Sequence, residues 1–92
     1  MKLGIVGTGM IVKEFLPSLL KMEGLEVLSI MGSPSGFEKA QALREKYGIP
    51  QAAHDLDELC ETGIDTVYVA IPNNLHFAYC KKALEKGMNV IV

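Results

Sequence analysis

With 92 residues, 49% of them hydrophobic and 22% charged, the chain has the size and composition of one globular domain. Nine basic residues oppose eleven acidic ones for a formal charge of −2, and Arg44 is the single arginine, which argues against nucleic acid as the main partner. Cys60 and Cys80 form no C-x-x-C and His54 and His76 no H-E-x-x-H, so neither a disulfide framework nor a metal site is expected.

The N-terminal stretch LGIVGTGMIV mimics the apolar region of a signal peptide, but Lys13-Glu14 follow and no A-x-A site does. No run approaches the ~18 apolar residues of a membrane span. A cytoplasmic protein with reduced thiols is expected.

Residues 2–6 (KLGIV) form an apolar run ending at Gly7, which predicts a buried strand. From Met10 to Met22 the residues Ile11, Val12, Phe15, Leu16, Leu19 and Leu20 recur at helical spacing. Pro17 lies inside this helix, at a cost of ~3 kcal/mol and with the capacity to kink it. Residues 25–31 (LEVLSIM) read as a second strand. In the following GSPSG, Ser35 and Glu38 have capping-box spacing, which places a helix start near Gly36. Ala40, Leu43 and Tyr47 line one face of that helix, and Gly48 ends it.

Residues 51–53 (QAA) are a short edge strand. Asp55 and Glu58 open a brief helix that stops by Gly63. Residues 67–71 (VYVAI) are continuously apolar, the pattern of a strand buried on both faces. Pro72 ends it. Asn73 or Asn74 caps a helix running to Lys86, with Lys81, Lys82 and Lys86 toward the end where positive charge suits the helix dipole. Gly87 closes it, and residues 89–92 (NVIV) begin a fifth strand.

Helices alternating with apolar strands predict an α/β fold of Rossmann type over residues 1–92. It is a doubly wound parallel sheet of five strands in order 3-2-1-4-5, with helices on both faces. Ligands bind such sheets at the carboxyl ends of the strands, where the order switches between strands 1 and 4.

The glycine loop sits at that point. Gly7-Thr8-Gly9 follows a strand and opens a helix, the context that a phosphate-binding loop requires. Gly7 permits the tight turn, Gly9 lets backbone approach a pyrophosphate, and the helix from Met10 offers unpaired N–H groups. The fingerprint's third glycine, which serves helix packing, is replaced by Val12. Val12 is expected to push the helix outward or to be accommodated by small neighbours such as Gly4. The plain alternative is a turn that merely needs glycines.

Glu26 has the count of a ribose-binding acid but stands at the start of strand 2, away from the ligand end. At that strand's carboxyl end stand Met31, Gly32 and Ser33, with no carboxylate to repel a 2′-phosphate. The reading inclines slightly to NADP over NAD. Strand 4 leads into AIPNNLHFAYCKKALEKG, which brings Pro72, Asn73 and His76 beside the glycine loop. On position alone Asn73 also reads as a helix cap and His76 as an ordinary polar residue.

The combination of GTGMI with IDTVYVAIPNNLHFAYCKKALEKGMNVIV resembles the N-terminal cofactor domain of the Gfo/Idh/MocA oxidoreductases, the family of glucose-fructose oxidoreductase and inositol dehydrogenase. The resemblance covers essentially all of the chain, and P-N-x-x-H followed by A-L-x-x-G is its more specific part. It implies binding of NAD or NADP and hydride transfer at a hydroxyl carbon of a sugar or cyclitol. By motif match, Gly7, Thr8, Gly9, Met10 and Ile11 would contact the pyrophosphate side. Gly32 and Ser33 would flank the adenosine ribose. Ala70, Pro72, Asn73, Leu75 and His76 would line the other wall. Many members have alanine where this chain has Val12.

In the family a Glu-Lys-Pro motif with a catalytic lysine follows the fifth strand, and then a substrate domain. Neither lies within these residues, so no catalytic residue is assigned. The chain is expected to be a truncated cofactor domain, its small-molecule substrate met only in a longer parent. An exposed apolar sheet edge leaves homo-oligomerisation open. A non-catalytic nucleotide-sensing module and a ligand-free interaction domain are the alternatives.

Overall fold

The computed structural model describes residues 1–32, 36–71 and 73–91; the side chains of residues 10–11 and 73–76 lie outside that description. In chain order the elements are β1 (Lys2–Val6), α1 (Met10–Leu20), β2 (Glu26–Met31), α2 (Phe37–Tyr47), β3 (Gln51–Ala53), α3 (Leu56–Cys60), β4 (Thr66–Val69), α4 (Asn73–Glu85) and β5 (Asn89–Ile91). The strands pair in parallel in the order β3-β2-β1-β4-β5, the predicted Rossmann arrangement.

Each sheet face carries its own core. Leu3, Ile5 and Ile30 pack with Val12 and Leu16 of α1 and with Ala40 and Leu43 of α2. On the opposite face Val6, Met31, Val67 and Val69 pack with Leu56 and Leu59 of α3 and Ala83 of α4. Each fully buried Leu or Ile contributes about 1.5–3 kcal/mol. The α1 stripe is narrower than its sequence suggests. Val12 and Leu16 are fully buried, whereas Leu20 is 38% exposed and the helix stops there instead of at Met22. Pro17 is carried inside the helix without ending it.

Two more expectations shift on the structure. The strand over 67–71 is Thr66–Val69, because Ala70 and Ile71 leave the sheet to reach α4. Its Tyr68 is only half-buried. Phe15 stacks on it with ring centroids 4.7 Å apart, and an open cavity of about 320 Å³ beside it is lined by Leu3, Leu19, Leu25 and Ile91. Helix α2 begins at Phe37 with Gly36 as its N-cap and no side-chain cap; Ser35 lies outside the described residues, as does Val92 of the fifth strand.

One irregularity has wide effects. β1 and β2 pair Leu3 with Val27 and then Gly4 with Ser29, so Leu28 has no partner. This bulge turns both Leu28 and Ser29 toward the α3 face. Ser29 is fully buried there, and its hydroxyl lies 2.8 Å from that of Thr62. Thr62 donates its own proton to the Leu59 carbonyl at 2.6 Å, so Ser29 is the donor to Thr62. Gly4 faces the same side. A Cβ on it would lie 2.6 Å from Ile64 Cδ1 and 3.2 Å from Ser29 Oγ, so its missing side chain makes room for α3 and the loop after it, not for Val12.

At α3, Asp55 caps the helix as expected, its Oδ1 accepting the Glu58 N–H at 2.8 Å. Asp57 then meets Lys86 at 2.5 Å and Lys82 at 3.6 Å from α4 and its end, so these lysines serve an ion pair between helices besides any dipole role. Both cations hold the Asp57 carboxyl below its ordinary value of 3.8, the hydrogen bond from Lys86 most strongly.

Two outcomes are expected. Thr62→Val strands the buried Ser29 hydroxyl and lowers unfolding free energy by about 1–3 kcal/mol in urea titration, while adding Ser29→Ala recovers part of the loss. Because the Asp57 pKa is depressed in the folded state, its contribution is present at neutral pH. It fades as pH falls from about 5 to 3. Asp57→Asn therefore lowers the urea midpoint at pH 7 and flattens its acid limb. A residual slope comes from Asp65, which the Thr66 hydroxyl also holds low.

Candidate functional site

The carboxyl ends of β1, β2 and β4 are tied together by backbone. Gly7 has φ +129°, a region that side chains avoid, and a Cβ on it would run into the Ala70 carbonyl oxygen. Its N–H donates to the Met31 carbonyl at 2.9 Å, and the Ala70 N–H donates to the Val6 carbonyl at 2.8 Å. Gly7 thus touches the ends of both neighbouring strands at the switch point. Next to it, Thr8 Cγ2 stands 3.4 Å from where a Gly32 Cβ would be, and that same Cβ would lie 2.5 Å from the Gly36 carbonyl oxygen. Of the residues singled out in the sequence, Gly7, Thr8, Gly32 and Ala70 are brought together.

Gly9 answers a different requirement. It is the N-cap of α1 at φ −77° and ψ −172°, extended backbone that any residue adopts. Among the described residues a Cβ on it would meet nothing within 4 Å. Neither backbone torsion nor packing against the described residues calls for glycine here, and no described atom fills the space a side chain would take. The helix behind it has no side-chain cap and no acidic residue in its first turn. The N–H groups that begin at Met10 and Ile11 therefore keep their hydrogen-bonding capacity and the positive end of the helix dipole. Open space beside an uncapped helix N-terminus fits the pyrophosphate of a nicotinamide dinucleotide. Val12 takes no part: it is fully buried in the core beneath α1.

The remaining residues divide. Asn73, Leu75 and His76 lie in the first turn of α4, which follows β4 at the same edge. Their side chains, like Ser33 and Pro72 altogether, lie outside the described residues. Glu26 begins β2, where its N–H donates to the Met1 carbonyl at 2.8 Å, at the end away from the loop. Among the described residues no group of three or more His, Cys, Asp or Glu side chains could hold a metal, and no helix is long and apolar enough to cross a membrane. Burial pushes the Cys60 thiol above its ordinary value, so it stays protonated.

Sequence reasoning missed one contact at this edge. Phe37, the first residue of α2, stacks on His54, the first after β3, with centroids 3.7 Å apart and planes 10° from parallel. No periodicity links two residues that meet only because β2 and β3 are neighbours.

A family model described as an oxidoreductase family with an NAD-binding Rossmann fold matches residues 1–92. An uncharacterized oxidoreductase of Rhizobium meliloti is 36% identical over 98% of this chain and 27% of its own length. A D-xylose 1-dehydrogenase (NADP(+)) of Haloferax volcanii is 31% identical over 99% of this chain and 28% of its own length. Among solved structures, KijD10, a 3-ketoreductase from Actinomadura kijaniata in complex with NADP and TDP-benzene, aligns with a TM-score of 0.88 at 27% identity, covering 99% of this chain and 28% of that one. The chain thus spans little more than a quarter of these relatives. With the match running from end to end and the glycine loop placed at the switch point, the chain belongs to the Gfo/Idh/MocA oxidoreductases as an NAD(P)-binding Rossmann domain.

Proposed function

We propose that residues 1–92 are the cofactor half of an oxidoreductase that moves hydride between nicotinamide and a hydroxyl-bearing carbon of a sugar or cyclitol. The observation that carries the reading is Gly9, a glycine that neither its torsion nor its contacts with the described residues explain. Gly7, Thr8 and Gly9 with the first N–H groups of α1, at Met10 and Ile11, hold the pyrophosphate. Gly32 and Ser33 flank the adenosine ribose, and Ala70, Pro72, Asn73, Leu75 and His76 line the opposite wall. When bound, the nicotinamide ring supplies the carbon that gives or takes hydride. The chain's own residues bind and orient it.

Substrate contacts and acid–base groups belong, in this reading, to further polypeptide. The quarter-length span of the relatives supports it, and the chain alone binds cofactor without turnover. NADP is the preferred form: Met31 and Gly32 put no carboxylate at the carboxyl end of β2. NADP is also the cofactor named for the Haloferax dehydrogenase and the KijD10 complex. A cytoplasmic setting, in which Cys60 and Cys80 stay reduced, belongs to the same reading; neither is in a disulfide.

Calorimetric titration with NADP+ and NAD+ tests the reading, with saturable heat expected and tighter binding of NADP+. Gly9→Asn separates binding from folding. Asparagine is a favoured N-cap, so thermal stability holds or rises, while its side chain fills the open space and weakens binding at least tenfold. No heat with either cofactor at millimolar concentration sinks the proposal.

A further inference from the structure

We propose that Phe37, His54 and Glu58 form a clamp that positions the adenosine end of the cofactor site; this rests on the cofactor reading above. The contacts form an unbroken series. The Glu58 N–H is fixed by the Asp55 cap at 2.8 Å, and the Glu58 carboxylate lies 3.1 and 3.2 Å from His54 Nδ1. A carboxylate only accepts, so Nδ1–H is the donor and the imidazole plane is set from α3. That plane lies 3.7 Å from the Phe37 ring and within 10° of parallel to it. Phe37 directly follows Gly36, whose carbonyl oxygen is pressed against Gly32, and Gly32 abuts Thr8 of the glycine loop.

The stack belongs to neither buried core cluster, and the His54 side chain is 57% exposed. It holds the start of α2 against the β3–α3 junction at the sheet's carboxyl edge. The described ends of the β2–α2 turn, Gly32 and Gly36, gain their placement from it. Phe37, His54 and Glu58 are positioning residues: they act through the turn and are not themselves assigned contact with the ligand.

The test measures dissociation constants of the full chain at 10 °C for NADP+ and for 2′-phospho-ADP-ribose, which lacks only the nicotinamide, with thermal midpoints recorded alongside. His54→Ala and Phe37→Ala are expected to weaken both ligands by about five- to tenfold and by the same factor. His54→Phe, which keeps a ring on Phe37, is expected to regain most of the affinity. Affinities that stay at the wild-type value while the midpoint falls mark the stack as structural only and overturn the inference. So does a loss confined to NADP+. If the wild-type chain binds neither ligand, the cofactor reading itself fails and takes the clamp with it; wild-type binding with unaffected variants overturns the clamp alone.

Discussion

The approach of Gly7 to the Ala70 carbonyl is the contact on which the carboxyl edge of the sheet depends. At φ +129° and with no room for a Cβ, position 7 accepts only glycine. Its N–H reaches back to Met31 while its Cα faces Ala70, so one residue joins the exits of β2, β1 and β4. A side chain there would separate β1 from β4 at the point where the chain order switches. The crevice between the two halves of a doubly wound sheet is then a consequence of backbone packing, and the ligand inherits it.

The bulge at Leu28 serves the same edge from further away. Without it the register that pairs Leu3 with Val27 would set Val6 opposite Ile30. With it, Val6 pairs with Met31, and Gly32 comes level with Gly7 and beside Thr8. The extra residue also moves a serine onto the α3 face, where burial would be costly without the Thr62 hydroxyl. Gly4 leaves the space that lets Leu59 and Ile64 close over this pair. Register, a buried polar pair and a packing glycine are therefore one device, and it lies beneath the site.

What was legible in the sequence was whatever depends on period and on local chemistry. Continuously apolar strands separated by helical stripes dictate a parallel sheet with two covered faces, and the order of strands follows from right-handed crossovers. The Asp55 cap, the Gly48 terminus and the misplacement of Glu26 follow from neighbours a few residues apart. The bulge was not legible, because EVLSIM reads equally well in either register. Gly4 was assigned to the wrong face for a related reason: its side of the sheet is set by alternation, but its neighbours at Leu59 and Ile64 lie over fifty residues away. The Phe37–His54 stack depends likewise on which strands lie side by side.

The valine at position 12 shows why a glycine fingerprint should not be scored by counting. Its three positions meet three separate constraints, and two of those constraints are internal to the fold. Gly7 satisfies a torsion and a backbone contact, both internal. Gly9 meets neither constraint among the described residues, which leaves room there for a group from outside the chain. The third position concerns the distance between α1 and the sheet, which depends on the volume of every side chain between them. With Val12 fully buried against the Leu3 and Ile5 side of β1, the helix is seated by a filled interface and not by a close approach. Helix position tolerates a methyl group or two provided the facing residues are sized to match. The torsion at Gly7 has no such compensation.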